Sequence, residues 1–313
     1  MSRAFVFPGQ GSQTVGMGKE LAEAFPVARQ LFEEVDDALE QRLSRLMFEG
    51  PIEDLTLTEN AQPALMAVSL AVVRVLEGEA GMVLADKAPF VAGHSLGEYS
   101  ALAAAGTLGV ADAARLLKRR GVAMQRAVPV GEGAMAAILG LDLEAIQKIV
   151  REAAEDEVCA TANDNAPGQV VVSGNAAAVE RAMVLAKEQG AKRSILLPVS
   201  APFHCALMEP AAAEMRDALG MVTLQAPRMS LVSNVTAGSV NDPEAIRRLL
   251  VEQVTGMVRW RESVLYLKDQ GVSTLYELGA GKVLTGLTRR IDRELTGQSV
   301  GTPQDVEDLL KGF

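Results

Sequence analysis

Phe90-Val91-Ala92-Gly93-His94-Ser95-Leu96-Gly97-Glu98-Tyr99 sets a serine between two glycines at the end of a short apolar run. Phe90-Val91-Ala92 reads as a brief strand, and the small residues from Tyr99 to Ala105 read as a helix. Between them, Gly93 to Gly97 matches G-x-S-x-G. The pattern alone is common, but strand, sharp turn and helix together form the context that lifts a serine hydroxyl clear of the backbone. The flanking glycines are needed where side chains would collide with neighbouring structure. The helix start also aims backbone N–H groups at any oxyanion that forms beside the serine. Against this stands the plainer reading of an ordinary serine in a glycine-rich turn.

Outward from this turn, strand and helix patterns alternate, which predicts an α/β fold. Phe5-Val6-Phe7 reads as a buried strand ending at Pro8-Gly9, Val15 to Leu43 as mostly helix, and Ala64 to Leu76 as a buried helix, apolar on most sides. From Val128 to Val199 the order changes. Ala134–Leu139, Val158–Ala162, Gln169–Ser173 and Ser194–Val199 read as strands, with an Asn/Asp/Pro/Gly turn between the second and third. Leu143–Ala154 and Ala176–Gln189 read as helices. This β-α-β-β-α-β order is the ferredoxin-like unit. The expectation is an inserted ferredoxin-like subdomain over 128–197, in a larger α/β-hydrolase-like core made of 1–127 and 198–313.

A serine nucleophile needs a base, most often histidine, and the chain has two histidines. His94 adjoins Ser95, and neighbouring side chains on a tight turn diverge. His204, in Pro202-Phe203-His204-Cys205, lies just past a predicted strand end, where active-site loops gather in open α/β sheets. It is the candidate base, with a packed or capped histidine as the alternative. An orienting acid would lie between serine and histidine in chain order, as Asp142, Asp156 or Asp164. All three fall in the predicted insert, none stands out, and a backbone carbonyl is an alternative. With two histidines and no H-E-x-x-H or C-x-x-C pattern, no metal site is expected. Gly279-Ala280-Gly281 and Gly9-Gln10-Gly11 lack the third glycine of a dinucleotide fingerprint and read as tight strand-to-helix turns. Cys205 sits too close in the chain to His204 for a Cys–His pair and reads as a small buried residue.

The helix predicted over Asp112 to Gln125 carries Ala113, Leu116, Leu117 and Met124 on one stripe, and Arg120 falls in its middle. A buried guanidinium needs a partner, because an unpaired internal charge is costly. One reading is an internal ion pair with an Asp or Glu. The other is a substrate with a free carboxylate, which a planar guanidinium holds by two parallel hydrogen bonds.

Composition narrows the field further. The 313 residues are 49% hydrophobic and 22% charged, with a formal net charge of −10, which argues against a general nucleic-acid binder. No uncharged apolar run of membrane-spanning length and no leader pattern is read. The two cysteines, Cys159 and Cys205, suit a reducing cytoplasm.

Ser95, His204 and Arg120 together, with Phe7-Pro8-Gly9-Gln10-Gly11-Ser12-Gln13, Asn165-Ala166-Pro167-Gly168-Gln169, Ser200-Ala201-Pro202-Phe203-His204-Cys205 and Tyr276-Glu277-Leu278-Gly279-Ala280-Gly281-Lys282, carry a resemblance over Phe5 to Arg290. The chain resembles the bacterial malonyl-CoA:acyl-carrier-protein transacylases of fatty-acid synthesis. The resemblance implies Ser95 as nucleophile and His204 as its base. It implies the backbone N–H groups of Gln10 and Leu96 as the oxyanion hole, and Arg120 as the site for the malonyl carboxylate. It also implies Gln253 as the residue whose main-chain carbonyl orients the histidine. The implied partners are a coenzyme A thioester and an acidic acyl carrier protein. The protein itself is expected to be a monomer without a resident cofactor, since phosphopantetheine belongs to the carrier. Lys192-Arg193, Arg259/Arg261 and Arg289-Arg290 are candidate docking charges. The chain departs from some bacterial members in having Phe203 before the histidine. In related polyketide acyltransferases a Phe there accompanies malonyl selection. The rival readings are a malonyl transferase of a polyketide or malonate-decarboxylase system, a serine thioesterase, and a non-catalytic carrier-binding subunit.

Overall fold

In the computed structural model, which describes residues 2–311, the Phe5-Val6-Phe7 run is buried on both faces of a sheet. Ten strands are present among the described residues: β1 (Ser2–Phe7), β2 (Phe90–Gly93), β3 (Gly133–Leu139), β4 (Cys159–Ala166), β5 (Gln169–Asn175), β6 (Arg193–Leu196), β7 (Ser230–Val232), β8 (Ser239–Val240), β9 (Val272–Leu278) and β10 (Thr296–Val300). They form two sheets in a mixed α/β molecule.

The larger sheet has the order β10-β9-β1-β2-β7-β8, and only β8 is antiparallel to its neighbour. Helices on both sides cover it, so its central strands are continuously apolar rather than alternating. Phe7 pairs with Gly93 and Ala92 with Val232, so β1, β2 and β7 end side by side. The chain leaves β1 for β2 on one side, while β9 flanks it on the other. That reversal opens a crevice at the carboxyl ends of the strands. The helix Thr58–Gly78 packs against the helices before and after it and is buried along nearly its whole length. It is long and apolar enough to cross a membrane, but 83% of its apolar window is covered by the protein itself.

The smaller sheet is antiparallel, ordered β4-β5-β3-β6. Two helices, Leu143–Ala154 and Ala176–Glu188, lay Ile146, Ile149, Val179 and Ala182 on Ile138 and Val172, which makes a separate small core.

Several elements differ from the sequence reading. The helix expected over Val15 to Leu43 is two helices, Lys19–Ala24 and Pro26–Leu39, because Pro26 lacks the N–H that would continue the first. Strand β4 runs on through Asn163, Asp164 and Asn165, which read as turn residues, and the turn itself is only Pro167-Gly168. Two bulges in β4 turn those polar side chains toward groups of the larger unit that satisfy them. The last strand of this unit stops at Leu196 rather than Val199, just before Pro198, which has no N–H for the ladder.

Candidate active site

Strand β2 delivers Ser95 on a turn too tight for side chains. A Cβ on Gly93 would lie 1.9 Å from the backbone of Gly97, and one on Gly97 would lie 2.3 Å from the Phe7 carbonyl oxygen. Ser95 itself adopts φ 53°, a left-handed conformation that a non-glycine residue holds only under constraint. The constraint comes from Asn234, just beyond β7. Its Oδ1 accepts from the Ser95 N–H at 2.7 Å, and its Nδ2 donates to the Gly93 carbonyl at 2.6 Å.

His204 stands opposite, also at positive φ, 59°. Its Nε2 is 2.8 Å from Ser95 Oγ. Its Nδ1 is 2.8 Å from the Gln253 carbonyl oxygen and 3.1 Å from that of Gly256. Both carbonyls only accept, so Nδ1 carries the proton and Nε2 presents its lone pair to the serine hydroxyl. Burial, and then the positive charge of Arg120, push the His204 pKa down to about 3. The imidazole is therefore neutral at any ordinary working pH, ready to accept a proton.

Arg120 lies in the helix Val110–Ala127 and is 1% exposed. A close helix crossing places it there: a Cβ on the adjoining Gly121 would lie 2.5 Å from the Glu59 Cα. The neighbouring Arg115, Lys118 and Arg119 face outward to Asp112, Glu59 and Glu214. Arg120 Nη1 donates to Gln62 Oε1 at 2.8 Å, and Nη2 donates to Gln253 Oε1 at 3.0 Å and to Ser95 Oγ at 3.1 Å. Its Nε, also buried, has no acceptor. Among the described residues no carboxylate forms an ion pair with it, so the internal ion pair that the sequence left open is absent. The ring of Tyr99, 5.9 Å away, gives only a weak compensating contact.

Gln10 follows β1, and the loop containing it presses on the serine turn, since a Cβ on Gly9 would meet the His94 carbonyl oxygen at 2.8 Å. Among the described residues, neither the Gln10 nor the Leu96 backbone N–H has an acceptor. The acid candidates are elsewhere. Asp142 caps the helix Leu143–Ala154, Asp164 pairs with Arg261 at 2.8 Å, and Asp156 is exposed. His94 turns away from Ser95, and its Nε2 bonds Asn165 Oδ1 at 2.8 Å. Cys205 donates to the Pro202 carbonyl, and burial raises its pKa, as suits an inert thiol.

Four side chains at the site went unread in the sequence: Gln62, Glu98, Asn234 and Gln253. Of these, Gln253 was singled out for its main-chain carbonyl alone. Glu98 left a signal, a carboxylate in a helix whose other residues are nearly all small or apolar. Gln62 did too, as an amide in a helix that is apolar all round. Asn234 left none, since an Asn after a short strand reads as a turn.

The acyl transferase domain model matches residues 4–300. A malonyl CoA-acyl carrier protein transacylase of Bacillus subtilis is 48% identical over 97% of this chain and 95% of its own. The crystal structure of an acyl-carrier-protein S-malonyltransferase from Bartonella henselae superposes with a TM-score of 0.97 at 57% identity, covering 100% of this chain and 99% of that one. A malonyl-transacylase solved in complex with a type II PKS acyl-carrier protein superposes at 0.96 with 44% identity over the whole of both chains.

Proposed function

The chain belongs to the malonyl CoA-acyl carrier protein transacylases of the acyl transferase domain family, and from this we propose that it moves a malonyl group from malonyl-CoA to acyl carrier protein through an ester on Ser95. The transfer serves fatty-acid biosynthesis. The observation that carries the site assignment is Arg120: a buried cation that, among the described residues, no carboxylate touches directly, with an open Nε and its Nη2 3.1 Å from the nucleophile's oxygen. A substrate that brings its own carboxylate supplies what the fold leaves out. A thioesterase or a carrier-binding subunit has no use for it.

In the first half-reaction Arg120 holds the malonyl carboxylate. His204 Nε2 takes the Ser95 proton as Oγ attacks the thioester carbonyl, and the oxyanion rests on the Gln10 and Leu96 amides. The C–S bond breaks, and the coenzyme A sulfur leaves with the proton from His204. In the second half the carrier's phosphopantetheine thiol gives its proton to His204 and attacks the ester, and Ser95 Oγ takes that proton back. The Gln253 carbonyl does the orienting work of a triad acid. It carries no charge, so the imidazolium forms only transiently. The chain itself needs no cofactor in this scheme, since phosphopantetheine arrives on the partner. Phe203 directly precedes His204, and since a Phe at that place accompanies malonyl selection in related acyltransferases, malonyl is favoured over branched donors.

The carrier is acidic and this chain has a net charge of −10, so docking requires a local positive surface. Of the candidate charges, Arg261 is committed to Asp164 and Arg259 to Glu262. Lys192, Arg289 and Arg290, with Arg293, line one groove with no acidic residue among its described lining, and we assign carrier docking there.

The strand order β4-β5-β3-β6 and the two helices on one face support reading residues 128–197 as a ferredoxin-like insert. The mainly parallel sheet supports an α/β-hydrolase-like core from 1–127 and 198–313. A monomer in the cytoplasm completes the proposal.

Brief incubation with malonyl-CoA, read by intact mass, tests it. A malonyl adduct on the native chain, absent from Ser95→Ala and discharged by carrier protein, is expected. Free malonate without an adduct would indicate a hydrolase. The absence of both adduct and free malonate would sink the reading.

A further inference from the structure

Gln253 enters the site twice. Its main-chain carbonyl accepts from His204, and its side-chain Oε1 accepts from Arg120 Nη2 at 3.0 Å. Its Nε2 faces three oxygens: the Ser95 carbonyl at 3.0 Å, Glu98 Oε2 at 2.8 Å and Asn234 Oδ1 at 3.3 Å. Reversing the amide would set its oxygen against three acceptors and its NH₂ against a guanidinium, so only one orientation is compatible with its surroundings. Glu98 Oε2 also accepts from the Asn234 N–H at 3.1 Å, while Asn234 spans the serine turn from Gly93 to Ser95. Glu98, Asn234 and Gln253 are each 0% exposed.

We propose that Glu98 and Asn234 are positioning residues: Asn234 fixes the backbone on both sides of Ser95, and Glu98 fixes the facing of the Gln253 amide, whose oxygen holds Arg120 for the substrate carboxylate. The proposal rests on the roles given to Ser95 and Arg120 above. One buried amide then joins the carboxylate grip to the base. Its side chain bears on the choice of acyl donor, while its carbonyl bears on all donors alike.

The test is the rate of adduct formation on the full chain with malonyl-CoA and with acetyl-CoA, alongside the melting temperature. Gln253→Met keeps the main-chain carbonyl and removes the polar side chain. It lowers the malonyl-to-acetyl rate ratio by about tenfold or more, the worth of one charge-assisted hydrogen bond. Glu98→Leu does the same, and Glu98→Gln restores the ratio, because its oxygen still accepts from Gln253 and from the Asn234 N–H. Asn234→Asp slows both donors by about tenfold through the loss of a buried donor, with the ratio kept. A native ratio in Gln253→Met, or a fall in both donors that merely follows the folded fraction, overturns the inference; a changed ratio in Asn234→Asp overturns the role given to Asn234. If Glu98→Leu does not fold, Gln253→Met decides. Arg120→Ala separates this from the parent reading. If it collapses the ratio while Gln253→Met does not, only the positioning inference fails. If it leaves the ratio native, the role of Arg120 fails first.

Discussion

The two sheets meet the nucleophile in unequal ways. At the carboxyl ends of β1, β2 and β7 sit Gln10, Ser95 and Asn234, three neighbours delivered by parallel pairing. His204 and Gln253 come from loops and helix ends around that same sheet. The antiparallel sheet alternates its strand ends, so it does not gather loops at one rim. Its side-chain contact with the serine turn is Asn165, on His94. Both site residues with strained backbone, Ser95 and His204, lie in the larger unit. Reactive geometry is thus concentrated where parallel strands stop together, and the smaller unit serves as a wall.

If that division is right, the largest losses belong to the parallel sheet. His204→Ala should slow malonyl loading by about 10⁶-fold, in line with removal of the histidine base from a serine nucleophile, with the fold retained. The pH dependence sharpens the point. The neutral His204 imidazole is the active form, and its pKa in the free protein lies at about 3, so kcat/KM for loading should stay flat as pH falls through 6.5 toward 5. A bound malonyl carboxylate neutralises Arg120 and lets the His204 pKa rise. The acid limb of kcat should therefore lie above that of kcat/KM. An inflection of kcat/KM near the ordinary imidazole value would mean that His204 is not held as described.

A smaller effect is expected at the groove between the units. Reversing Arg289 and Arg290 to Glu should raise KM for the carrier by about tenfold at low salt, with malonyl-CoA loading unchanged. Loss of loading in the same variant would place these arginines on the coenzyme instead of the carrier.

The sequence disclosed the parts of the site that are local. The serine turn was legible because strand, glycine, serine, glycine and small-residue helix are contiguous. Arg120 was legible because one helix face exposes an inconsistent charge. The element order over residues 128–197 was legible from its periodicities, except where Asn163 to Asn165 looked like a turn. Those three polar residues stay in strand because their partners, Val258, Arg261 and His94, come from the other unit, and a local pattern cannot contain that. Asn234 was hidden for the same reason, and Glu98 showed as an odd carboxylate in a small-residue helix without showing what it holds. Their meaning lies in contacts 136 to 141 positions away along the chain.

The weakest expected effect falls on the wall. Asn165→Ala removes the acceptor of the His94 ring, leaving a buried N–H without a partner, which costs about 1 to 3 kcal/mol of stability. Burial already holds the His94 pKa low, so the ring stays neutral and no charge is stranded. The unit remains tied to the larger sheet by the backbone bond from Asp164 to the Val258 carbonyl, by the Val258 N–H to Ala162, and by the Arg261 ion pair with the buried Asp164. The serine turn remains held by Asn234. Loading should therefore fall by no more than about fivefold, roughly 1 kcal/mol in the barrier, measured as the rate of adduct formation per folded molecule. A loss approaching that of His204→Ala would erase the contrast between the sheets, because it would mean that a side chain of the antiparallel unit controls the nucleophile as closely as the base does.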